Sequence, residues 1–213
     1  MKTDKESYNL IIAGVGGQGN VLASQLIGQV FIRKGYFVTI GETYGASQRG
    51  GAVMSHIRIS KRKQLSPLIP KGEADILVAL EPVEAIRVLI PYGSPDVVAL
   101  VNTRPFYPVD VTAGEATYPE MDEIERSLEN LSSKVYFIDA TERAVQMGLP
   151  ILANMIMIGA LIELELLPFN YEDFYDILSI NFDKKGLDLN IQAIEEGRKA
   201  VQRGINGLKF SVV

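Results

Sequence analysis

The hexapeptide GVGGQG at residues 14–19 divides an apolar run, Leu10, Ile11, Ile12 and Ala13, from a segment whose apolar residues recur at helical spacing. Few folds accommodate that order. A strand covered on both faces needs no polar alternation, so an unbroken apolar run stopped by glycines predicts a buried strand over 9–13. Past the loop, Leu22, Ala23, Leu26, Ile27, Val30 and Phe31 draw a single stripe along a helix that Gly35 is placed to end. Residues 36–40 predict a second strand. Strand, glycine loop, helix and strand form the opening unit of a doubly wound α/β domain.

The remaining pattern extends this unit. Residues 41–51, rich in glycine and polar side chains, predict a long loop leading into a strand over 52–60, where Val53, Ile57 and Ile59 alternate with polar neighbours. Buried strands are expected over 75–80 and 97–101, flanking a helix over 82–89 that carries Pro82 in its first turn. Pro105, Pro108 and Pro119 break regular structure over 102–120, which is expected to be a surface excursion. A helix over 121–131 and a strand over 135–138 follow. Beyond residue 139 the periodicity is helical, over 142–147, 150–166, 171–179 and 187–204. The expected fold is α/β and Rossmann-like, a mostly parallel sheet with a helical C-terminal layer. With 213 residues and 47% hydrophobic composition, residues 1–213 suit one domain with a sizeable core.

Composition narrows the function classes. A formal charge of −5 does not suit a partner that must displace counterions from nucleic acid, and the run Lys61, Arg62, Lys63 reads as a solvated turn. The chain has no cysteine, so it supplies neither a thiol nucleophile nor thiolate ligands for an iron–sulfur cluster. The start lacks the basic region and cleavage pattern of a signal peptide, and a cytoplasmic protein is expected. The apolar stretch 151–162 is interrupted by Asn154, followed by Glu163 and Glu165, and shorter than the ~20 residues of a membrane span. It predicts a buried helix.

Gly14, Gly16 and Gly19 satisfy G-x-G-x-x-G, and the helix that starts there offers unpaired N–H groups to an anion. Gly14, Gly16, Gly17, Gln18 and Gly19 are therefore candidate cofactor-binding residues. Two readings stay open. Glu42, 23 positions past Gly19, stands where a dinucleotide domain holds a ribose hydroxyl, which keeps a stand-alone NAD(P)-dependent oxidoreductase or a nucleotide-binding scaffold in view. The glycines could equally serve close packing of helix on strand.

The stretch ETYGASQRGG, residues 42–51, places a carboxylate, an amide and a guanidinium among three glycines at the carboxyl end of a strand, where open α/β sheets present ligands. Glu42, Gln48, Arg49, Gly50 and Gly51 are candidate substrate or CoA contacts: the guanidinium suits a phosphate or carboxylate, and the glycines leave N–H groups bare. An ion pair between Arg49 and Glu42 is the plainer alternative. His56 is the single histidine, so a metal site is not expected, and Ser55 beside it faces the opposite side of its strand, which precludes a Ser–His dyad.

GVGGQG, ETYGASQRGGAVMSHIRIS, SPLIPKGEADILVALEPVEAIR, VNTRPFYP and ANMIMIGAL together resemble the gamma module of the 2-oxoacid:ferredoxin oxidoreductases, and within that family the small subunits of the indolepyruvate enzymes. The resemblance runs from about Leu10 to Gly197. It implies a Rossmann-like subunit without catalytic residues of its own, beside a large partner that carries thiamine diphosphate and iron–sulfur clusters. It also implies coenzyme A as co-substrate, ferredoxin as acceptor, and oxidative decarboxylation of the 2-oxoacid to an acyl-CoA by the assembled complex. No G-D-G signature for thiamine diphosphate occurs in the chain. Ile194 stands where relatives carry an aromatic residue and Ala46 where methionine is common; both exchanges are apolar. Asn154 is a lone polar group in an apolar helix, bonding either inside the chain or to the partner. Gly159 and Ala160 on that helix leave room for another element to approach, so a homodimer of the isolated chain is expected through this surface.

Overall fold

The computed structural model describes residues 5–45 and 51–207. β1 (Ser7–Val15) runs through the middle of a six-stranded sheet with β4 (Ala74–Ala79) parallel on one side; beyond β4 lie β5 (Gly93–Asn102) and β6 (Lys134–Ile138), also parallel. On its other side β1 pairs antiparallel with β3 (Ala52–Ser60), which pairs in turn with the edge strand β2 (Phe37–Tyr44). The order β2-β3-β1-β4-β5-β6 leaves only β3 reversed. The opening β–α–β unit therefore crosses over one intervening strand.

The sequence of each strand explains its place. Along β1, Leu10 and Ile12 enter the core on one face while Ile11 and Ala13 enter the core on the other. The sheet is thus covered twice, as unbroken apolar runs require. One face carries α1 (Asn20–Arg33), α6 (Ala153–Glu163), α7 (Tyr171–Asn181) and α8 (Lys184–Gly207); the opposite face carries α2 (Pro82–Tyr92) and α4 (Met121–Leu131). β3 alternates instead. Ile57 and Ile59 join the α1-side core, and Arg58 turns away to Asn9 and to Ser66 and Leu68 of the following loop. Such alternation suits an antiparallel strand near a sheet edge.

Two expectations change here. The loop predicted for 41–51 is shorter at its start, because β2 continues through Glu42 to Tyr44, hydrogen-bonded to β3 along its length. The helix predicted over 150–166 divides into a single 3-10 turn at Pro150–Leu152 and α6. The excursion at 102–120 contains α3 (Val109–Thr112), and α5 (Ala140–Gln146) follows β6.

α6 packs on α8 at backbone distance. A Cβ built on Gly159 would stand 2.1 Å from the Ile194 carbonyl oxygen, and one on Gly197 would stand 1.9 Å from that of Ile156. The small residues of α6 thus admit the chain's own C-terminal helix. The surface expected to support a homodimer is internal, because α8 covers it: residues 154–162 of α6 are all buried within the chain. Ile194 itself is 1% exposed in that contact.

Candidate functional site

The glycine loop joins β1 to α1 at the carboxyl end of the sheet. Gly17 and Gly19 have φ of 105° and 84°, conformations that admit glycine readily, and Gly19 is the left-handed N-cap of α1. The Gln18 side chain folds back: Val15 N–H donates to its Oε1 at 2.7 Å, and its Nε2 donates to the Leu80 carbonyl at 3.2 Å. A side chain on Gly14 would lie 2.5 Å from that Oε1. Glycine at 14 therefore makes room for the amide of Gln18.

This arrangement bears on the dinucleotide reading. α1 leaves β1 toward one face and α2 leaves β4 toward the other, so the crevice between these two strand ends is the topological switch point where doubly wound domains bind nucleotides. Gln18 bridges that crevice. Asn102, at the end of β5, donates to the same Leu80 carbonyl at 3.0 Å and to Thr141 Oγ1 at 2.9 Å, and accepts from the Thr141 N–H at 3.1 Å. Glu42 is also displaced from a ribose-binding position. It pairs with Ser55 of β3, which pairs with Ile12 of β1, so two strand spacings, roughly 10 Å, separate Glu42 from β1.

A cleft of about 280 Å³ stays open beside this bridge, lined by Gly17, Gln18, Leu80 and Thr141 among others, and a cleft of about 460 Å³ opens on the α1 side, lined by Gly16, Gly17, Gly19, Asn20, Leu22 and Tyr44 among others. No side chain caps α1. The first N–H groups of a helix have no partner within it, so this end presents donors and the positive end of the helix dipole. Asn20 is buried and ties the first turn of α1 to β3 through Nδ2 and the Val53 carbonyl, 3.1 Å apart. None of the described lining residues is charged. On the rim, the Tyr44 hydroxyl donates to the Glu42 carboxylate, and this bond above all holds the phenol above its usual pKa.

The second loop borders the same cleft. Gly45 N–H donates to the Ala52 carbonyl at 2.7 Å, and Gly16 N–H donates to the Gly51 carbonyl at 2.9 Å, which ties the hairpin to the glycine loop. Gly14, Gly16, Gly17, Gln18, Gly19, Glu42 and Gly51 thus gather at one end of the sheet. Ala46, Gln48, Arg49 and Gly50 lie outside the described residues, as does any pairing of Arg49 with Glu42.

Next to this end sits a buried carboxylate. Glu81, 2% exposed, follows β4 and caps α2, accepting from the Glu84 N–H at 2.8 Å. Its other oxygen accepts from the Tyr118 hydroxyl and from the Phe106 N–H, pinning both ends of the 102–120 excursion. Burial and that bond push the Tyr118 phenol far above its usual range. Burial also raises the carboxyl of Glu84 against the opposing pull of Arg87, its ion-pair partner at 2.6 Å.

His56 takes no part. It is fully buried, its Nδ1 accepts from the Ile69 N–H at 3.3 Å, and its ring meets Tyr92 edge to face at 5.1 Å. Burial, aided by Arg58, holds it below its ordinary pKa. Among the described residues no group of histidine and carboxylate side chains could hold a metal ion, and no helix is long and apolar enough to cross a membrane. The E-A-D element serves the far end of the sheet, where Asp75 accepts from the Asn9 N–H and pairs with Lys5, both at 2.8 Å.

Residues 9–200 match the model of the pyruvate ferredoxin/flavodoxin oxidoreductase family. The chain belongs to this family. Within it, the chain is 36% identical over 202 residues to the indolepyruvate oxidoreductase subunit IorB of Pyrococcus horikoshii, a match covering 94% of this chain and 99% of the relative. The fold is that of solved family structures. The pyruvate oxidoreductase subunit PORC of Thermotoga maritima superposes with a TM-score of 0.69 at 22% identity, over 92% of this chain and 97% of the other. The 2-oxoglutarate:ferredoxin oxidoreductase of Magnetococcus marinus, solved with 2-oxoglutarate, coenzyme A and succinyl-CoA, superposes with a TM-score of 0.68 at 21% identity over 94% of this chain. That superposition covers 32% of the other chain.

Asn20, Tyr44, Glu81 and Asn102 are the site residues that sequence reasoning missed. Glu81 and Asn102 carried a signal: each is the first polar residue after an apolar strand, on the edge where ligand loops gather. Asn154 stood out as a polar intruder, and the structure brings it to Gly19.

Proposed function

We propose that this chain is the non-catalytic small subunit of a thiamine-diphosphate-dependent 2-oxoacid:ferredoxin oxidoreductase that converts indolepyruvate or another aryl-pyruvate to an acyl-CoA. The observation that carries this reading is the end-to-end match with an indolepyruvate oxidoreductase subunit, 99% of whose length is covered. The residues fit a division of labour. With no cysteine, this chain has no thiolate for an iron–sulfur cluster, which supports a reading in which a large catalytic subunit holds the clusters together with thiamine diphosphate and passes electrons to ferredoxin.

The part left to this chain is binding. The cleft beside α1 has apolar walls and an uncapped helix end, a setting that fits the phosphate end of a CoA molecule. Arg49, two residues before the Gly51 that is bonded to the glycine loop, would hold a phosphate or the substrate carboxylate, with Gln48 donating a hydrogen bond. Coenzyme A, when bound, supplies the thiol that accepts the acyl group; this chain orients it. The subunit acts in a soluble, cytoplasmic complex.

The test uses the complex reconstituted with its large subunit. Arg49→Ala is expected to lower turnover at subsaturating CoA by about tenfold or more with the melting temperature of the complex unchanged, since a charge-assisted hydrogen bond is worth about 1.5–3 kcal/mol. Normal turnover by that variant would refute the role, and redox turnover by the isolated chain would refute the division of labour.

A further inference from the structure

We infer that Asn154 is a positioning residue for the glycine loop; the inference rests on the proposed reading of that loop as part of the CoA-facing site. Asn154 sits in the first turn of α6, 135 residues from Gly19 in sequence and 3% exposed. Its amide has one orientation open to it. Oδ1 accepts from the Met155 N–H at 2.7 Å, one of the first-turn donors that a helix cannot satisfy internally. Nδ2 is thereby turned toward the loop and donates to the Gly19 carbonyl at 3.3 Å.

That carbonyl has a second task. It accepts from the Ala23 N–H at 3.0 Å, the bond that opens α1, so the same oxygen is held by the helix it starts and by a helix from the C-terminal layer. Gly19 adopts φ 84°, the turn that aims the uncapped end of α1 at the cleft. A Cβ there would lie 2.2 Å from Asn154 Nδ2, so a side chain at 19 would have to displace that amide as well as adopt a left-handed backbone. α6 has little freedom to retreat, because Gly159 and Gly197 bring its backbone against that of α8. From the other side the loop is held by Gln18 on Leu80. The helical layer thus sets where the helix-end donors point.

Removing the amide leaves Gly19 still bonded to Ala23, so the fold survives while the loop loses its tie to the helical layer. In the reconstituted complex, Asn154→Leu keeps the branched shape and heavy-atom number of the side chain, at a somewhat larger volume, and deletes both the donor to Gly19 and the acceptor for Met155. It is expected to raise KM for CoA about three- to tenfold, with kcat and KM for the 2-oxoacid near wild type and the melting temperature lower by only a few degrees from the lost Met155 bond. Gly19→Ala is expected to cost more, and Gly19→Ala/Asn154→Ala to recover part of that loss, because the second change removes the amide that the new methyl strikes. An unchanged KM for CoA in Asn154→Leu, or single effects that simply multiply in the double variant, overturns the inference. Arg49→Ala separates the two levels. If it raises KM for CoA while Asn154→Leu does not, the positioning role fails alone; if neither does, the site reading fails with it.

Discussion

Replacing Gly159 by alanine in α6 is a sharp test of the packing described above, because two opposing effects of known size meet at one methyl group. In an exposed helix the change would stabilise by about 1 kcal/mol, since glycine is the poorer helix former. Here the methyl would sit 2.1 Å from the Ile194 carbonyl oxygen, where ordinary contact begins near 3.4 Å. The obstacle is helix backbone, which cannot rotate aside, so α6 and α8 must part by more than 1 Å. Overpacking a dense core costs about 1–3 kcal/mol, and an obstruction by backbone belongs at the upper end. The net is a loss of about 2 kcal/mol, or a melting temperature lower by roughly 4–8 °C in a chain of this length. Gly197→Ala, facing Ile156 at 1.9 Å, should behave alike, and the pair should lose less than the sum because one separation of the helices relieves both. Thermal unfolding followed by far-ultraviolet circular dichroism measures each. A melting temperature that rises in either single variant would refute the backbone-to-backbone contact.

Two further outcomes follow from the buried and bridging carboxylates. Glu81→Ala should destabilise by about 3 kcal/mol through the lost cap of α2 and the stranded Tyr118 hydroxyl and Phe106 N–H, and amide hydrogen exchange across 103–120 should quicken; unchanged exchange there would show that Glu81 does not pin the excursion. Acid should loosen the α6–α8 clasp. Burial pushes Glu163 up, but hydrogen bonds from Gln202 and Arg198 outweigh it and leave the carboxyl below its ordinary 4.5, while Glu196 is lowered chiefly by Lys199. A depressed carboxyl stabilises above its ordinary value, and that contribution is lost as pH falls below 4.5 toward the folded-state value. The urea midpoint should therefore drop over that window, less so in Glu163→Gln, and an identical drop in both would remove Glu163 from the clasp.

Much of this molecule was legible in residue order. Ala52–Ser60 and Met121–Leu131 begin and end where periodicity placed them, and Gly35, at φ 82°, closes α1 as a C-terminal glycine should. The glycine loop was recognised from its neighbours rather than from its six letters. The limits were equally particular. The alternation of Val53, Ile57 and Ile59 marked a strand with unlike faces, yet nothing in it said that β3 would insert between β1 and β2 and carry Glu42 away from β1. Gln18 read as a ligand contact, and the structure commits both ends of its amide to Val15 and Leu80.

What residue order determined by itself was therefore local: which segments are covered on two faces, which on one, and where glycine lets the backbone turn. These follow from periodicity and backbone sterics, which act over a few residues and hold in any fold. Tertiary structure alone decided which strand neighbours which, that Asn154 meets Gly19, that Glu81 meets Tyr118, and that the small face of α6 receives α8. Such pairings join groups 135 and 37 residues apart, and they are chosen by the packing that buries the most apolar surface with the fewest unsatisfied polar groups, a property of the whole chain that no short window contains.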